Sequence, residues 1–159
     1  MDAPNAVIIV PTREADTAVQ QRIQSYARMI RDRFFVGRPI ITDQQALQRD
    51  LSSNSLIVYG SPTGNLWLAK HLPQLPVRIE TERIVADAEY QGTNLRFITA
   101  WPNPQNPEKG VVIYTAQRAE DVVNINAVFH GPTDYVVARD EEVLQAGRYA
   151  KDPERWRFE

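Results

Sequence analysis

The stretch Leu56-Ile57-Val58-Tyr59-Gly60-Ser61-Pro62-Thr63-Gly64-Asn65, running on into Leu66-Trp67-Leu68-Ala69-Lys70-His71, decides the reading of this chain. Its apolar first four residues read as a buried strand, and the residues after the glycines read as the start of a helix. A strand that turns into a helix in this way marks the rim of an open α/β sheet, where such sheets bind their ligands.

Upstream, Asn5-Ala6-Val7-Ile8-Ile9-Val10 is a β-branched run stopped by Pro11, and it predicts a first strand buried on both faces. Thr12 is a candidate cap for the helix expected from Arg13 to Phe35. There Val19, Ile23, Tyr26, Ala27, Ile30 and Phe34 recur at intervals of three and four, and Gly37 closes the element. Pro39-Ile40-Ile41-Thr42 predicts a second strand, with Asp43 placed to cap a helix over Gln44 to Asp50. The resulting βαβαβ order favours a parallel sheet with right-handed crossovers.

Downstream the texture changes. Pro73 and Pro76 stop the helix, and Val77-Arg78-Ile79 and Arg83-Ile84-Val85 alternate as half-exposed strands do, which predicts a small antiparallel insertion. Leu95 to Ala100 and Gly110 to Thr115 return to sheet texture around the proline-rich loop Trp101-Pro102-Asn103-Pro104-Gln105-Asn106-Pro107. Gln117 to His130 predicts a helix weakened by Asn124 and Asn126 and ended by Gly131-Pro132. Tyr135 to Ala138 and Val143 to Tyr149 predict a last pair of strands joined across Arg139 to Glu142.

The expected fold is therefore a three-layer α/β domain, flavodoxin-like with a parallel sheet in its first half and carrying an antiparallel extension in its second. The 159 residues show no repeat, low-complexity tract or linker, so one domain spans 1–159, with residues 150–159 as a loosely docked tail anchored by Trp156 and Phe158.

Bulk composition narrows the partners. With 18 basic against 20 acidic side chains, the net charge of −2 supplies no long-range attraction to a polyanion, so nucleic acid is not an expected partner. Arg22, Arg28, Arg31, Arg33 and Arg38 read as a solvated helix face. No apolar run approaches the roughly 18 residues of a membrane span. The absence of cysteine removes thiol nucleophiles, disulfides and Cys-based zinc sites together. The opening Met1-Asp2-Ala3-Pro4 lacks the basic and apolar regions of a secretion signal, which leaves export open, because a chain begun after a cleavage site reads the same way.

Each residue that could carry chemistry has a plainer structural explanation beside it. The Gly60 to Asn65 turn could offer backbone N–H groups to an anion, with Thr12, Arg13, Gly60, Ser61, Thr63 and Asn65 converging around it, yet it is neither a Walker loop nor a dinucleotide fingerprint. Gly60-Ser61-Pro62-Thr63-Gly64 lacks the central serine of a nucleophile elbow, so a serine hydrolase built on Ser61, His130 and Asp134 is the least favoured reading. His130 and His71, the two histidines, come after helical segments and read as capping or surface groups. They have no spaced carboxylate that would make a metal signature, and nothing in the residues requires a cofactor. Trp101, beside three prolines, is either a contact platform for a partner or a buried ring on a rigid connector.

Two segments together, Leu56-Ile57-Val58-Tyr59-Gly60-Ser61-Pro62-Thr63-Gly64-Asn65 and Pro102-Asn103-Pro104-Gln105-Asn106-Pro107 followed by Val111-Val112-Ile113-Tyr114, carry a resemblance. They resemble the accessory α/β region that follows the catalytic domain in some secreted bacterial esterases and peptidases of the α/β-hydrolase class. Asp134-Tyr135-Val136-Val137 is similar as well, and the likeness covers Ser55 to Gly147. Such regions do not carry the hydrolase triad. The resemblance implies a non-catalytic accessory or interaction module, in an extracytoplasmic (periplasmic or secreted) setting, with a protein or small molecule as partner. A small-anion or nucleotide-like ligand at the Gly60–Asn65 turn is the alternative; the sequence does not define an oligomeric state.

Overall fold

A computed structural model describes residues 5–151 and 156–159; the opening Met1 to Pro4 and residues 152–155 of the expected tail lie outside the described residues. Strand β1 (Ala6–Val10) is buried along its whole length, as its β-branched run predicts, because it lies between β2 (Ile40–Thr42) and β3 (Ser55–Tyr59) with both faces covered. All three run parallel, in the registers Ile9↔Ile41 and Ile8↔Ile57. Helix α1 (Thr17–Phe34) connects β1 to β2, α2 (Asp43–Gln48) connects β2 to β3, and α3 (Leu66–His71) comes after β3.

The small insertion has three antiparallel strands rather than the two expected: β4 (Arg78–Ile79), β5 (Arg83–Val85) and β6 (Glu89–Gln91), in the order β4-β5-β6. The third strand carries no apolar signal, because Glu89-Tyr90-Gln91 has one half-buried residue between two exposed ones. The chain then forms the long hairpin of β7 (Leu95–Asn103) and β8 (Asn106–Ala116), the strands β9 (Tyr135–Arg139) and β10 (Glu142–Gly147), and the terminal pair β11 (Tyr149–Lys151) and β12 (Trp156–Phe158).

The main sheet has seven strands in the order β10-β9-β7-β8-β3-β1-β2. It is mixed: β8 joins the parallel group through Leu56↔Val111 to Tyr59↔Tyr114, whereas β7, β9 and β10 are joined by antiparallel pairings. The side-chain period of two divides the sheet's residues between two cores. Ala6, Ile8, Ile57, Tyr59, Ile98, Tyr114 and Val136 face α1 and the 119–128 segment. Val7, Ile9, Val58, Phe97, Ile113 and Val137 face α2, α3, the small sheet and Tyr149. Helix α1 contributes Val19, Ile23, Tyr26, Ala27 and Ile30, the stripe read from sequence; a buried Ile such as Ile23 is worth about 1.5–3 kcal/mol by area.

Several expectations need correction. Helix α1 begins at Thr17, and its cap is Asp16, whose carboxylate accepts from Ala18 N and Val19 N; Thr12 lies outside the helix. Helix α2 is capped by Thr42 in a capping box with Gln45, which frees Asp43 for another role. Gln117 to His130 is not an α-helix but two 3-10 turns, Ala119–Val122 and Ile125–Ala127, separated by Asn124 in the left-handed region at φ 68°. The two asparagines that lower helix propensity sit at and just beyond the break.

The stretch from Trp101 to Pro107 is not a connecting loop either. Trp101, Pro102 and Asn103 belong to β7, Asn106 and Pro107 to β8, and Pro104-Gln105 alone make the turn. Pro102 is tolerated in the strand because β7 pairs with β9 only from Leu95 to Thr99, so on that side no ladder hydrogen bond is lost at Pro102.

Candidate functional site

The rim at the carboxyl ends of β1 and β3 forms as expected, with Arg13 N donating to Gly64 O at 2.8 Å to join the two turns. What fills it is the chain's own carboxylates. Glu14 accepts from Ser61 N at 3.1 Å and from the Ser61 hydroxyl at 2.5 Å, while that hydroxyl accepts from Gly64 N at 3.0 Å. Asp43, fully buried, accepts from the Thr12 hydroxyl at 2.6 Å, from Thr12 N at 3.3 Å and from Leu66 N at 2.7 Å. Asn65 caps α3 through Trp67 N and Leu68 N and donates its amide to Tyr59 O.

Close backbone approach explains the glycines. A Cβ on Gly64 would fall 1.4 Å from Glu14 Oε1, and Gly60, at φ 147°, packs against Asn65 and Pro11. Of the donors foreseen for an anion, Thr12 and Ser61 are thus engaged by the two acids, while Gly60 N and Asn65 N donate to the carbonyls of Tyr114 and Ser61. Burial pushes the Glu14 carboxyl above its ordinary range, its bonds to Ser61 oppose that shift, and Asp43 adds to it. Of the other residues read as converging here, Arg13 and Thr63 are exposed.

A concavity that includes the foreseen residue His130 lies elsewhere, on the α1 face of the sheet, beneath the segment that failed to become a helix. It encloses about 450 Å³. Its floor is Ile57, Ile98, Ala100, Val112 and Val136, Phe35 at the end of α1 forms one wall, and Asn126, His130, Gly131, Thr133 and Asp134 form the other. Tyr59 and Tyr114 close it as a stacked pair with ring centroids 4.9 Å apart.

The polar groups around this cavity are mutually held. The phenols of Tyr59 and Tyr26 donate to Asn126 Oδ1 at 2.8 and 3.0 Å, and Tyr26 accepts from Asn126 N. His130 sits 2.6 Å from Val128 O through Nδ1 and 3.0 Å from the Tyr114 hydroxyl through Nε2. Since the carbonyl only accepts, the Nδ1 contact places a proton on Nδ1, and in the neutral ring Nε2 then accepts from Tyr114. Burial raises the Tyr114 phenol to about 12 and pushes Tyr59 higher still, so both remain protonated donors.

The foreseen residues do not converge on one site. Thr12, Arg13, Gly60, Ser61, Thr63 and Asn65 gather at the rim, and His130 belongs to the cavity. Trp101 lies on the opposite face, its ring 5.3 Å from Tyr149 and 5.1 Å from Trp156. Ser61, His130 and Asp134 each have other partners: Asp134 Oδ2 accepts from Tyr149 N at 3.0 Å, and Ser61 does not line the cavity. His71 packs on Trp67 at 4.4 Å, and burial, with Lys70 nearby, lowers its pKa.

Sequence reading missed Glu14, Tyr59, Tyr114, Asn126 and Thr133 as site residues. An acid three positions beyond Pro11 and an asparagine inside a supposed apolar helix were the available signals. Among the described residues, no group of three or more His, Cys, Asp or Glu side chains is placed to hold a metal ion, and no helix is long and apolar enough to cross a membrane. No family model matches the chain, and no curated protein aligns with it significantly.

Proposed function

We propose that this chain is a non-catalytic binding module whose recognition site is the cavity beneath residues 126–136, and that it serves extracytoplasmic hydrolytic machinery as an accessory part. The observation that carries the binding reading is a preformed 450 Å³ concavity with an apolar floor and a few oriented polar groups on one wall, the usual make-up of a small-ligand site. The accessory role draws its support from the resemblance carried by the Gly60–Asn65 turn and the Pro102–Pro107 segment. The order β2-β1-β3-β8 in the parallel group, with α1 on one face and α2 and α3 on the other, supports a flavodoxin-like, three-layer reading of that half.

The non-catalytic reading draws on the engagement of the nucleophile and base foreseen for a serine hydrolase: Ser61 is held between Glu14 and Gly64, and His130 between Val128 and Tyr114. Two assays test it. A thermal-shift panel of small neutral, anionic and cationic compounds at millimolar concentration should give stabilisation by at least one class that is lost when the cavity floor is filled by Ala100→Leu. Turnover of a simple ester or peptide that vanishes with Ser61→Ala or His130→Ala would overturn it.

A further inference from the structure

Helix α1 and its exit present to solvent a face of unusual make-up. Residues 17–38 hold five arginines, Arg22, Arg28, Arg31, Arg33 and Arg38, against a single acid, Asp32, in a chain whose net charge is −2. Asp32 pairs with Arg31 at 2.9 Å, and Arg28 donates to the Ser25 hydroxyl at 3.0 Å. Arg22, Arg28, Arg33 and Arg38 have no acid partner among the described residues.

Apolar side chains project among these cations. Met29 is 47% exposed, Phe34 61% and Val36 76%, although α1 buries a complete stripe on its other side. Met29 lies two helical turns after Arg22 and one before Arg33, so the three share one side of the helix. At the exit the Arg33 guanidinium sits over the Phe34 ring, 5.4 Å from its centroid, which joins a charge and an apolar body in one projecting unit.

We propose that this face docks on an anionic lipid surface, with the arginines at the phosphates and Phe34 and Val36 in the boundary between headgroups and acyl chains. A cationic face interleaved with projecting apolar groups is suited to that boundary, where charge and apolar area contribute together. A second copy meeting it about a two-fold axis would set arginines against arginines. A protein partner would need a shaped pocket for each projecting side chain as well as acids, whereas a bilayer receives both without shape complementarity. Because the excess of acids lies in the rest of the chain, this side alone is drawn to the surface, and the docked orientation is fixed. Nothing in this docking depends on the cavity being occupied.

The test is co-sedimentation of the whole chain with vesicles of phosphatidylglycerol or of phosphatidylcholine. The wild type should partition onto the phosphatidylglycerol vesicles alone, and the partition should weaken as salt rises from about 0.1 to 1 M, where the Debye length falls from about 10 to 3 Å. Arg28→Gln and Arg33→Gln should each lower it about five-fold, the scale of one cation beside such a surface. Arg49→Gln, at an exposed position ending α2 on the other face of the sheet, should leave it unchanged. Since the chain has no cysteine, a polarity-sensitive fluorophore can be attached at Val36→Cys alone or at Arg49→Cys alone. The first label should shift its emission to the blue on phosphatidylglycerol vesicles and the second should not. All of these side chains are exposed, so the variants should keep the wild-type thermal midpoint. No partition, equal partition onto both lipids, or arginine variants that bind as the wild type does would overturn the proposal. Partition without an emission shift at Val36→Cys would overturn the placement of the apolar groups. Binding to polyglutamate as tight as to phosphatidylglycerol vesicles would assign the face to an acidic protein and overturn the lipid partner.

Discussion

Glu14 accepts both the amide and the hydroxyl hydrogen of Ser61, which ties the turn after β1 to the turn after β3. Gly64 leaves the room that this carboxylate occupies. Gly64→Ala should therefore displace Glu14 and destabilise the protein by about 2–4 kcal/mol, the loss of two hydrogen bonds with Ser61 N left unpaired. In a Glu14→Ala background the same substitution should cost far less. Denaturant titration of the four proteins gives the coupling directly, and additive costs would show that the two positions do not share this space.

Glu14 also sets a pH dependence. Its carboxyl titrates above the ordinary glutamate value of 4.5 in the folded state, so over the interval above 4.5 the folded state binds more protons than the unfolded one. The stability that Glu14 contributes is complete below 4.5 and is lost as pH rises through the folded value. Wild type should lose stability relative to Glu14→Gln across that interval, as measured by denaturant midpoints at stepped pH. A difference that grows in the opposite sense would contradict the burial of this group.

Asn126 Oδ1 receives two phenols, one of them the fully buried Tyr59. Asn126→Ala should cost about 1–3 kcal/mol, because both hydroxyls lose their acceptor in a low-dielectric setting. Adding Tyr59→Phe should recover part of that loss by removing one orphaned hydroxyl. Chemical unfolding of the single and double variants checks this, and an additive double variant would count against the shared acceptor.

The hairpin tip acts as a clasp. Asn103 donates to Leu51 O and Asn54 O at 2.9 Å each, Gln105 accepts from Leu51 N at 2.6 Å, and Asn106 donates to Ser52 O at 2.7 Å. Asn103→Ala should cost about 2–4 kcal/mol, since two partly or fully buried carbonyls lose their partner. Hydrogen exchange should show the protection loss concentrated in the 49–55 connection, not in the hairpin itself.

The strands with continuous β-branched runs were legible, because Ala6–Val10 and Ser55–Tyr59 are buried on both faces and need no alternation. Helix α1 was legible from its stripe, though not its first turn, since Thr12 and Asp16 are both good caps and only the bonds from Ala18 and Val19 decide between them. The 117–130 segment misled because its apolar residues keep helical spacing while Asn124 takes a left-handed conformation that no spacing reveals. The rim was placed correctly, but the acids inside it were not foreseen: that Glu14 reaches Ser61 and Asp43 reaches Leu66 follows from tertiary approach alone. The cavity was invisible for the same reason, being made from the floor of four strands and a segment whose secondary structure was misread.

The parallel neighbour that completes β3 is β8, so Val58 meets Ile113 only after the entire insertion has been made. During synthesis β3 waits roughly fifty residues for that edge to be sealed, a long-range closure of the kind that slows folding and leaves an unpaired strand exposed meanwhile. The amino-terminal half is thus not a self-sufficient unit. A nascent chain halted before Asn106 should present β3 to any passing strand, since the hairpin tip that bonds to Leu51, Ser52 and Asn54 in the folded protein is then not yet in place.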